Sequence, residues 1–374
     1  MSTVRSILIR GTIKGQGIVN YGGKESKFLN RKLYPDQASV FRNDNWKAAK
    51  VSITQEGTRE NRDGKVFPNL IARIKISAAC LRSAIFGEDQ PHHNPGILHA
   101  PIVLVRFLAS TAALLRGYML ESKGVTGLKR KSPIILTDAV QTNHSVPVFE
   151  PLTARVPKNS NSNDGKSPEE IETADGNTSL SFKQSVGEME YEFSGVIDLN
   201  LLQFVSLSEM YDRLAVHPDY VEKYQDALTR TLGSKAPAKG WYMLSTATNG
   251  LPEEGMLLNQ EQVVFLVKEF IKRLLSLHIA RSNGWAKIEK VELKHVVDPI
   301  QDIRDGAAGW YTVQETKDVR LTPADVTVFF NAVSEQEAKE LYGTMDTAKD
   351  QKSEAKKASD EAKKAKKAAK ESQG

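Results

Sequence analysis

Cysteine is nearly absent from this 374-residue chain, and Cys80 alone can close no internal disulfide and build no Cys-based zinc cluster. A single thiol fits a reducing cytoplasm. Long apolar runs are missing too. The opening MSTVRSILIRGTIKG holds no stretch of signal-peptide length. The most apolar segment, Ile102 to Leu120, carries Arg106, Ser110, Thr111, Arg116 and Gly117, so it is expected as a core helix and not a membrane span. Apolar residues are 40% and charged residues 26%, a globular usage that excludes a wholly disordered or fibrous chain.

Catalytic signatures are also lacking. The glycines of Gly11-Thr12-Ile13-Lys14-Gly15-Gln16-Gly17 are followed neither by the Lys-Ser/Thr ending of a P-loop nor by a helical pattern. The histidines His92, His93, His99, His144, His217, His278 and His295 form no HExxH and no other paired metal spacing. His92 and His93 stand among prolines, as in a surface loop, and His278 falls on an apolar helical stripe, as a core histidine would. No GxSxG is present, and Asp138, Asp198 and Asp212 are isolated carboxylates. The expectation is a non-enzyme with no metal and no cofactor.

What is present is charge, unevenly placed. Residues 347–374 hold nine Lys against five Asp or Glu, which accounts for +4 of the chain's net +5. Residues 1–75 hold fifteen Lys or Arg against six acids, and residues 150–200 hold four against ten. A basic first lobe would suit a polyanion, with acid kept elsewhere; scattered solvated charge is the plain alternative. The tail at 347–374 has helix propensity and nothing to pack, so it reads as a disordered Lys/Ala-rich appendage.

Periodicity divides the rest. Val4 to Ile13 reads as a strand, 14–68 as a long irregular stretch, and Ile71 to Ile76 as a second strand. Ser77 is placed to cap a helix that stops at Gly87. One helix is expected from Ile102 to Leu120, then a short strand from Ile134 to Leu136. Residues 156–177, nearly free of aliphatic side chains, read as a mobile loop. From Gly187 to Asp198, Met189, Tyr191 and Phe193 alternate with Glu188, Glu190 and Glu192, the pattern of a half-buried strand. Residues 218–232 read as a helix ending at Gly233. The strongest helical stripe runs from Asn259 to Ala280, opened by an Asn259–Gln262 capping box, with Trp285 to Val297 as a strand beyond it. Ser334 and Glu337 cap a short last helix. No internal repeat is visible, and the element order indicates an α+β or split βαβ domain with large insertions.

Binding chemistry is better represented than catalysis. Phosphate contacts use Arg, Lys, Ser, Asn and backbone N–H groups, and base stacking uses nearby aromatics. Five segments combine them: Arg10 to Gly23 with Lys14, Asn20 and Tyr21; Ser77 to Ser83 with Arg82; Arg116-Gly117-Tyr118; Lys129 to Ser132; and Thr178 to Lys183 with Phe182. The plain alternatives are a helix end for Arg116 and a buried strand residue for Phe182.

At these segments the sequence resembles the Cas-seven family, the backbone subunit of CRISPR Cascade complexes, most nearly its minimal type I-F variant. The stretches are GQGIVNYGG at 15–23, ISAACLRSAIF at 76–86, LLRGYML at 114–120, LKRKSPIIL at 128–136, TSLSFKQSVGEMEY at 178–191, LLQFVSLSEMYDRLA at 201–215 and HIARSNGW at 278–285. The length of 156–177 and the tail depart from that pattern. The resemblance implies that residues 1–346 form an RNA-recognition-motif-like (ferredoxin-like) palm with inserted lobes and a thumb. It also implies copies that stack head to tail along CRISPR RNA in a prokaryotic cytoplasm. Each copy would join other Cascade subunits, touch no membrane, and leave the guide free to pair with target DNA. Arg10, Lys14 and Asn20 would meet phosphate or ribose, as would Ser77 and Arg82. Arg116, Lys129, Arg130 and Ser132 would line a backbone groove. Phe182, beside Lys183, would wedge at a displaced base, and Arg281 and Asn283 would approach the guide. Two alternatives are an endoribonuclease of the same broad superfamily that processes CRISPR RNA through His99, His144 or Asp138, and a general single-strand binder acting through the tail.

Overall fold

A computed structural model describes residues 3–17, 19, 51–60, 64, 66–87, 101–122, 125–142, 147–154, 179–186, 188–208, 214–233, 235–246, 250–281, 284–297, 302 and 308–342. In chain order the strands are β1 (Ser6–Gly17), β2 (Val51–Glu60), β3 (Val66–Ile76), β4 (Tyr118–Ser122), β5 (Val125–Arg130), β6 (Ile134–Leu136), β7 (Ala139–Gln141), β8 (Pro147–Ala154) and β9 (Ser179–Val186). They continue with β10 (Glu188–Asp198), β11 (Phe204–Ser206), β12 (Ala238–Leu244), β13 (Glu253–Leu257), β14 (His278–Arg281), β15 (Gly284–Val296), β16 (Tyr311–Val313) and β17 (Phe330–Val333).

Alternation places the main sheet. In β1, Ile7, Ile9 and Ile13 point inward and Arg10, Thr12, Lys14 and Gln16 outward; in β10, Met189, Tyr191 and Phe193 do the same opposite Glu188, Glu190 and Glu192. The two strands pair antiparallel from Ser6–Asp198 to Gln16–Glu188, and β15 flanks β1 on its other side. The order is β14-β15-β1-β10-β7-β3-β2, with β16 on β15 and β6 on β10. In sequence, the Ala78–Phe86 helix falls between β1 and the β6–β7 pair, and the Gln260–Leu275 helix between β10 and β15. The core is therefore a β-α-β-β-α-β unit in which β10 and β15, both antiparallel to β1, are parallel to each other. The molecule is a mixed α+β protein with antiparallel sheets.

Both helices start where capping chemistry places them. Ser77 Oγ accepts from Cys80 N at 3.3 Å, and Asn259 and Gln262 make both bonds of a capping box. The longer helix buries Val263, Leu266, Val267, Phe270, Ile271 and Leu274, and Phe86 of the shorter one stacks on Phe270 with ring centroids 6.2 Å apart. A second sheet, β11-β13-β12-β17, stands beside this core. It is joined to it by the buried Gln203, whose Oε1 accepts from Phe329 N at 3.0 Å and whose carbonyl accepts from Leu258 N at 2.8 Å.

Three expectations are corrected. The single helix from Ile102 to Leu120 is two helices, Pro101–Leu108 and Thr111–Arg116, followed by β4. Ser110 restarts the helix by accepting from Ala113 N at 3.2 Å, and Gly117 ends it at φ 70°. The stripe from Asn259 to Ala280 stops at Leu275, because Leu277 and Ile279 continue at strand spacing; His278 is exposed on edge strand β14 and is no core histidine. The stretch expected to be irregular from 14 to 68 contains the end of β1, all of β2 and the start of β3. The strands at Ile134–Leu136, 187–198 and 285–297, the helix closing at Gly233 and the Ser334–Glu337 cap stand as read. The loop at 156–177 and the tail at 347–374 lie outside the described residues.

Candidate nucleic-acid interface

The outward face of the main sheet carries two of the anticipated phosphate ligands. Lys14 ion-pairs with Glu289 of β15 and lies opposite Glu190 of β10, and the bond to Glu289 raises its pKa above the ordinary lysine value. The Arg10 guanidinium lies 4.2 Å over the ring of Trp310 and stands between Ser194 and Glu292 in register. Lys290 and Glu292 pair at 2.8 Å. With Glu188, Glu190 and Glu192 alongside, this face is balanced in charge.

A different arrangement forms where three segments distant in sequence meet. Arg82, on the first helix, donates from Nη2 to the carbonyl of Arg116 at 2.7 Å. Gly117 then turns at φ 70° so tightly against β5 and its exit that a Cβ there would sit 2.5 Å from the Arg130 carbonyl and 2.7 Å from Ser132 N. Only glycine fits that backbone, and it brings the Arg116 turn against Lys131 and Ser132. Arg116 is half-buried and its guanidinium has no hydrogen-bond or ion-pair partner among the described residues. Desolvation and the neighbouring Arg82 both depress its pKa. Lys131 is exposed, and its ammonium has no partner among the described residues. Two neighbouring guanidiniums without a carboxylate partner among the described residues, and an exposed ammonium on the turn against Gly117, are positive charge of the kind that holds phosphates.

The other anticipated residues separate. Arg130 is corrected from ligand to structural tie. It is buried, and its guanidinium donates to the carbonyls of Leu114 (3.3 Å), Phe204 (2.7 Å), Leu201 (3.2 Å) and Leu202 (3.3 Å), which commits four of its five N–H donors to the interior. Burial lowers its pKa. Ser77 spends its hydroxyl on the helix cap. Ser132 spends its own on Ile134, donating to the carbonyl at 2.7 Å and accepting from the amide at 3.3 Å, so what these two serines bring to the cluster is backbone geometry. Lys129 is half-buried and holds its strand to Leu214 through its amide at 2.9 Å. Arg281 is exposed at the end of β14, paired with Gly284, and beside it Trp285 is 36% exposed with Lys287 Nζ 5.8 Å from its ring. Phe182 and Lys183 lie on β9, in register with Pro151 and Glu150 of β8; their side chains, and Asn20 and Asn283, lie outside the described residues. Lys131, Trp285 and Lys287 join the candidate surface unanticipated. Lys131 and Trp285 stand inside two of the resembling stretches, but only their exposure marks them out.

The catalytic alternative finds little here. Asp138 pairs with Lys75 at 2.7 Å and accepts from Ala78 N at 2.8 Å, the role of a structural carboxylate. His99 and His144 lie outside the described residues. Among the described residues no three His, Cys, Asp or Glu are grouped to hold a metal ion, and no helix is long and apolar enough to cross a membrane.

The fold is that of a mixed α+β protein built on antiparallel sheets. Residues 3–305 match the family described as Type I-Fv CRISPR-associated protein Cas7fv-like, and the chain belongs to that family. The resemblance read in the sequence, including its type I-F variant, is borne out. No curated protein matches the chain in sequence. Among solved structures, a chain titled "CRISPR RNA-guided surveillance complex" is similar at a TM-score of 0.37 and 11% identity, covering 92% of this chain and 99% of that one. A second, titled "CRISPR RNA-guided surveillance complex, pre-nicking", has a TM-score of 0.35 and 9% identity, covering 77% and 75%.

Proposed function

We propose that the chain is a non-catalytic backbone subunit that polymerises head to tail along CRISPR RNA, grips the sugar–phosphate spine and leaves the bases free to pair with target DNA. The observation that carries this reading is the Arg82–Arg116 pair with Lys131 on the turn against Gly117, assembled from three of the stretches that resemble the family and without a carboxylate partner among the described residues. Family membership supports the choice of CRISPR RNA as the polyanion. The β-α-β-β-α-β core, with its central order β15-β1-β10-β7, supports an RNA-recognition-motif-like palm, into which β2, the start of β3 and the β8–β9 hairpin are inserted as lobes. The hairpin carries Phe182 and Lys183 and serves as the thumb in this reading. Trp285, Lys287 and Arg281 extend the guide path at the other end of the sheet. The complex works in a prokaryotic cytoplasm alongside other Cascade subunits.

The test is co-expression with a guide transcript, followed by imaging and salt titration of the purified material. A helical array whose length grows with the RNA, and whose affinity falls steeply with salt, is the expected result. A monomer that takes up no RNA at low salt overturns it, and RNA cleavage lost in a His99→Ala or His144→Ala variant would favour the nuclease reading.

A further inference from the structure

A cavity of about 420 Å³ opens between the Lys129–Lys131 segment and the second sheet, and nothing above gives it a task. Its aromatic wall is built in layers. Phe204 lies flat over Gly255, where a Cβ would stand 2.2 Å from the ring's Cζ, so this position too admits only glycine. Phe330 stacks on Phe204 with centroids 4.6 Å apart at 23°, and Tyr242 meets Phe204 edge-on at 6.0 Å. Phe204 and Phe330 both remain partly exposed. The polar side is made by Lys129, Arg130, Lys131, Asn200, and the Ser206 hydroxyl hydrogen-bonded to the Glu253 carboxylate.

Each part narrows the occupant. The volume suits a small planar molecule and its substituents. Stacked, partly bare rings suit a flat π-system. A carboxylate beside a hydroxyl suits an edge bearing N–H donors, which a lipid chain lacks. The Lys131 backbone lies against Gly117, so this lining residue also adjoins the turn that follows Arg116, and its exposed ammonium is placed to hold a phosphate at the cavity mouth. A ring with N–H groups and an attached phosphate is a nucleotide.

We propose that this cavity binds one nucleotide unit, its base against Phe204 and Phe330, its edge toward Glu253 and its phosphate at Lys131. The proposal rests on the RNA-binding reading for one of two sources, an unpaired nucleotide of the bound strand, and stands apart from it for the other, a free mononucleotide.

The experiment separates the sources and both claims. Leu251→Trp fills the cavity from its lining, and Glu253→Gln keeps the side chain's size while removing the charge at the edge contact and at the Ser206 bond; melting temperatures verify that both fold. In one arm, protein assembled on guide RNA carries a fluorescent adenine analogue at one position at a time. Quenching at particular positions, lost in Leu251→Trp while RNA is retained, supports the in-strand source. In the other arm, AMP, GMP, CMP and UMP are titrated into RNA-free protein and followed by saturation-transfer NMR. Signals abolished by Leu251→Trp and re-ranked among bases by Glu253→Gln support the free source. If neither arm responds to Leu251→Trp, the proposal is overturned, even where RNA binds and the subunit reading survives. If the protein binds no RNA, the subunit reading falls and the mononucleotide arm alone decides the cavity. Should Leu251→Trp fail to fold, Glu253→Gln decides: unchanged quenching in the first arm together with unchanged base ranking in the second overturns the proposal.

Discussion

On the outward face of the main sheet the described cations of β1 have company: Lys14 has Glu289, and Arg10 has the ring of Trp310. At the junction of the Arg82, Arg116 and Lys131 segments the guanidinium of Arg82 stands beside that of Arg116, and neither Arg116 nor Lys131 has an acidic partner among the described residues. Lys14 and Arg10 lie in the basic stretch of residues 1–75, whereas Arg82, Arg116 and Lys131 lie outside it. A count of Lys and Arg along a chain therefore locates positive residues but not positive potential, which depends on what folding places opposite them. Binding capacity is held where compensation is missing, and that is a property of tertiary structure.

The comparison can be broken most violently at the buried cation whose carbonyl lies against Gly117. Arg130→Ala removes the donor shared by four carbonyls, and unfolding should become easier by at least about 3 kcal/mol. Urea denaturation reads this directly, and a variant of native stability that had merely lost RNA would return Arg130 to the interface. Gly117→Ala tests the turn that assembles the cluster. Strain at φ 70° and the clash with the Arg130 carbonyl should cost about 1–3 kcal/mol and weaken RNA binding together. Arg116→Ala with Lys131→Ala should instead leave stability within about 0.5 kcal/mol. Affinity for single-stranded RNA should fall at least tenfold, and the salt slope should flatten by about 0.7 for each phosphate no longer neutralised. Lys14→Ala measured alongside should change both much less, and an equal loss would erase the contrast between the two surfaces.

The smallest effect concerns pH. His295 accepts or donates at 2.8 Å to Tyr311, and burial, with Arg320 adding to it, holds its pKa below 6.5 against the pull of Asp325. Unfolded chain takes up a proton near 6.5 while the folded protein resists it, so stability falls as pH drops through 6.5 towards the folded value. Asp325, itself depressed by bonds from Thr322, contributes its own loss only below its ordinary 3.8. Melting temperatures between pH 8 and 5 should slope downward for the parent and flatten in His295→Gln.

How much of this was readable beforehand follows from the range of the forces involved. The phases of β1 and β10, the Ser77 cap and the Asn259–Gln262 box depend on neighbours within a few residues, and all were legible. The break at Ser110 was not, because an apolar run of helical period continues across it, and β4 pairs with β5 rather than winding on. Ile279 is buried whether its segment is helix or strand, so the pattern could not tell which, and the fate of His278 went with it. At the candidate site, the three converging segments were legible as stretches. Inside Lys129-Arg130-Lys131, however, nothing local separates a surface cation from a buried one. The carbonyls that claim Arg130 come mostly from 201–204, more than seventy residues further along.

The position of β1 has a consequence for how the protein is made. Its first strand is an interior one, hydrogen-bonded to Asp198 through Glu188 on one edge and to Val296 through Gly284 on the other. At about 5–20 residues per second, a ribosome needs some tens of seconds between releasing Ile7 and releasing His295. Until β10 emerges the isoleucines of the opening strand have neither lateral partner, and until β15 follows they have only one, so the nascent chain must be kept from adhering to its neighbours on the polysome until synthesis is nearly done.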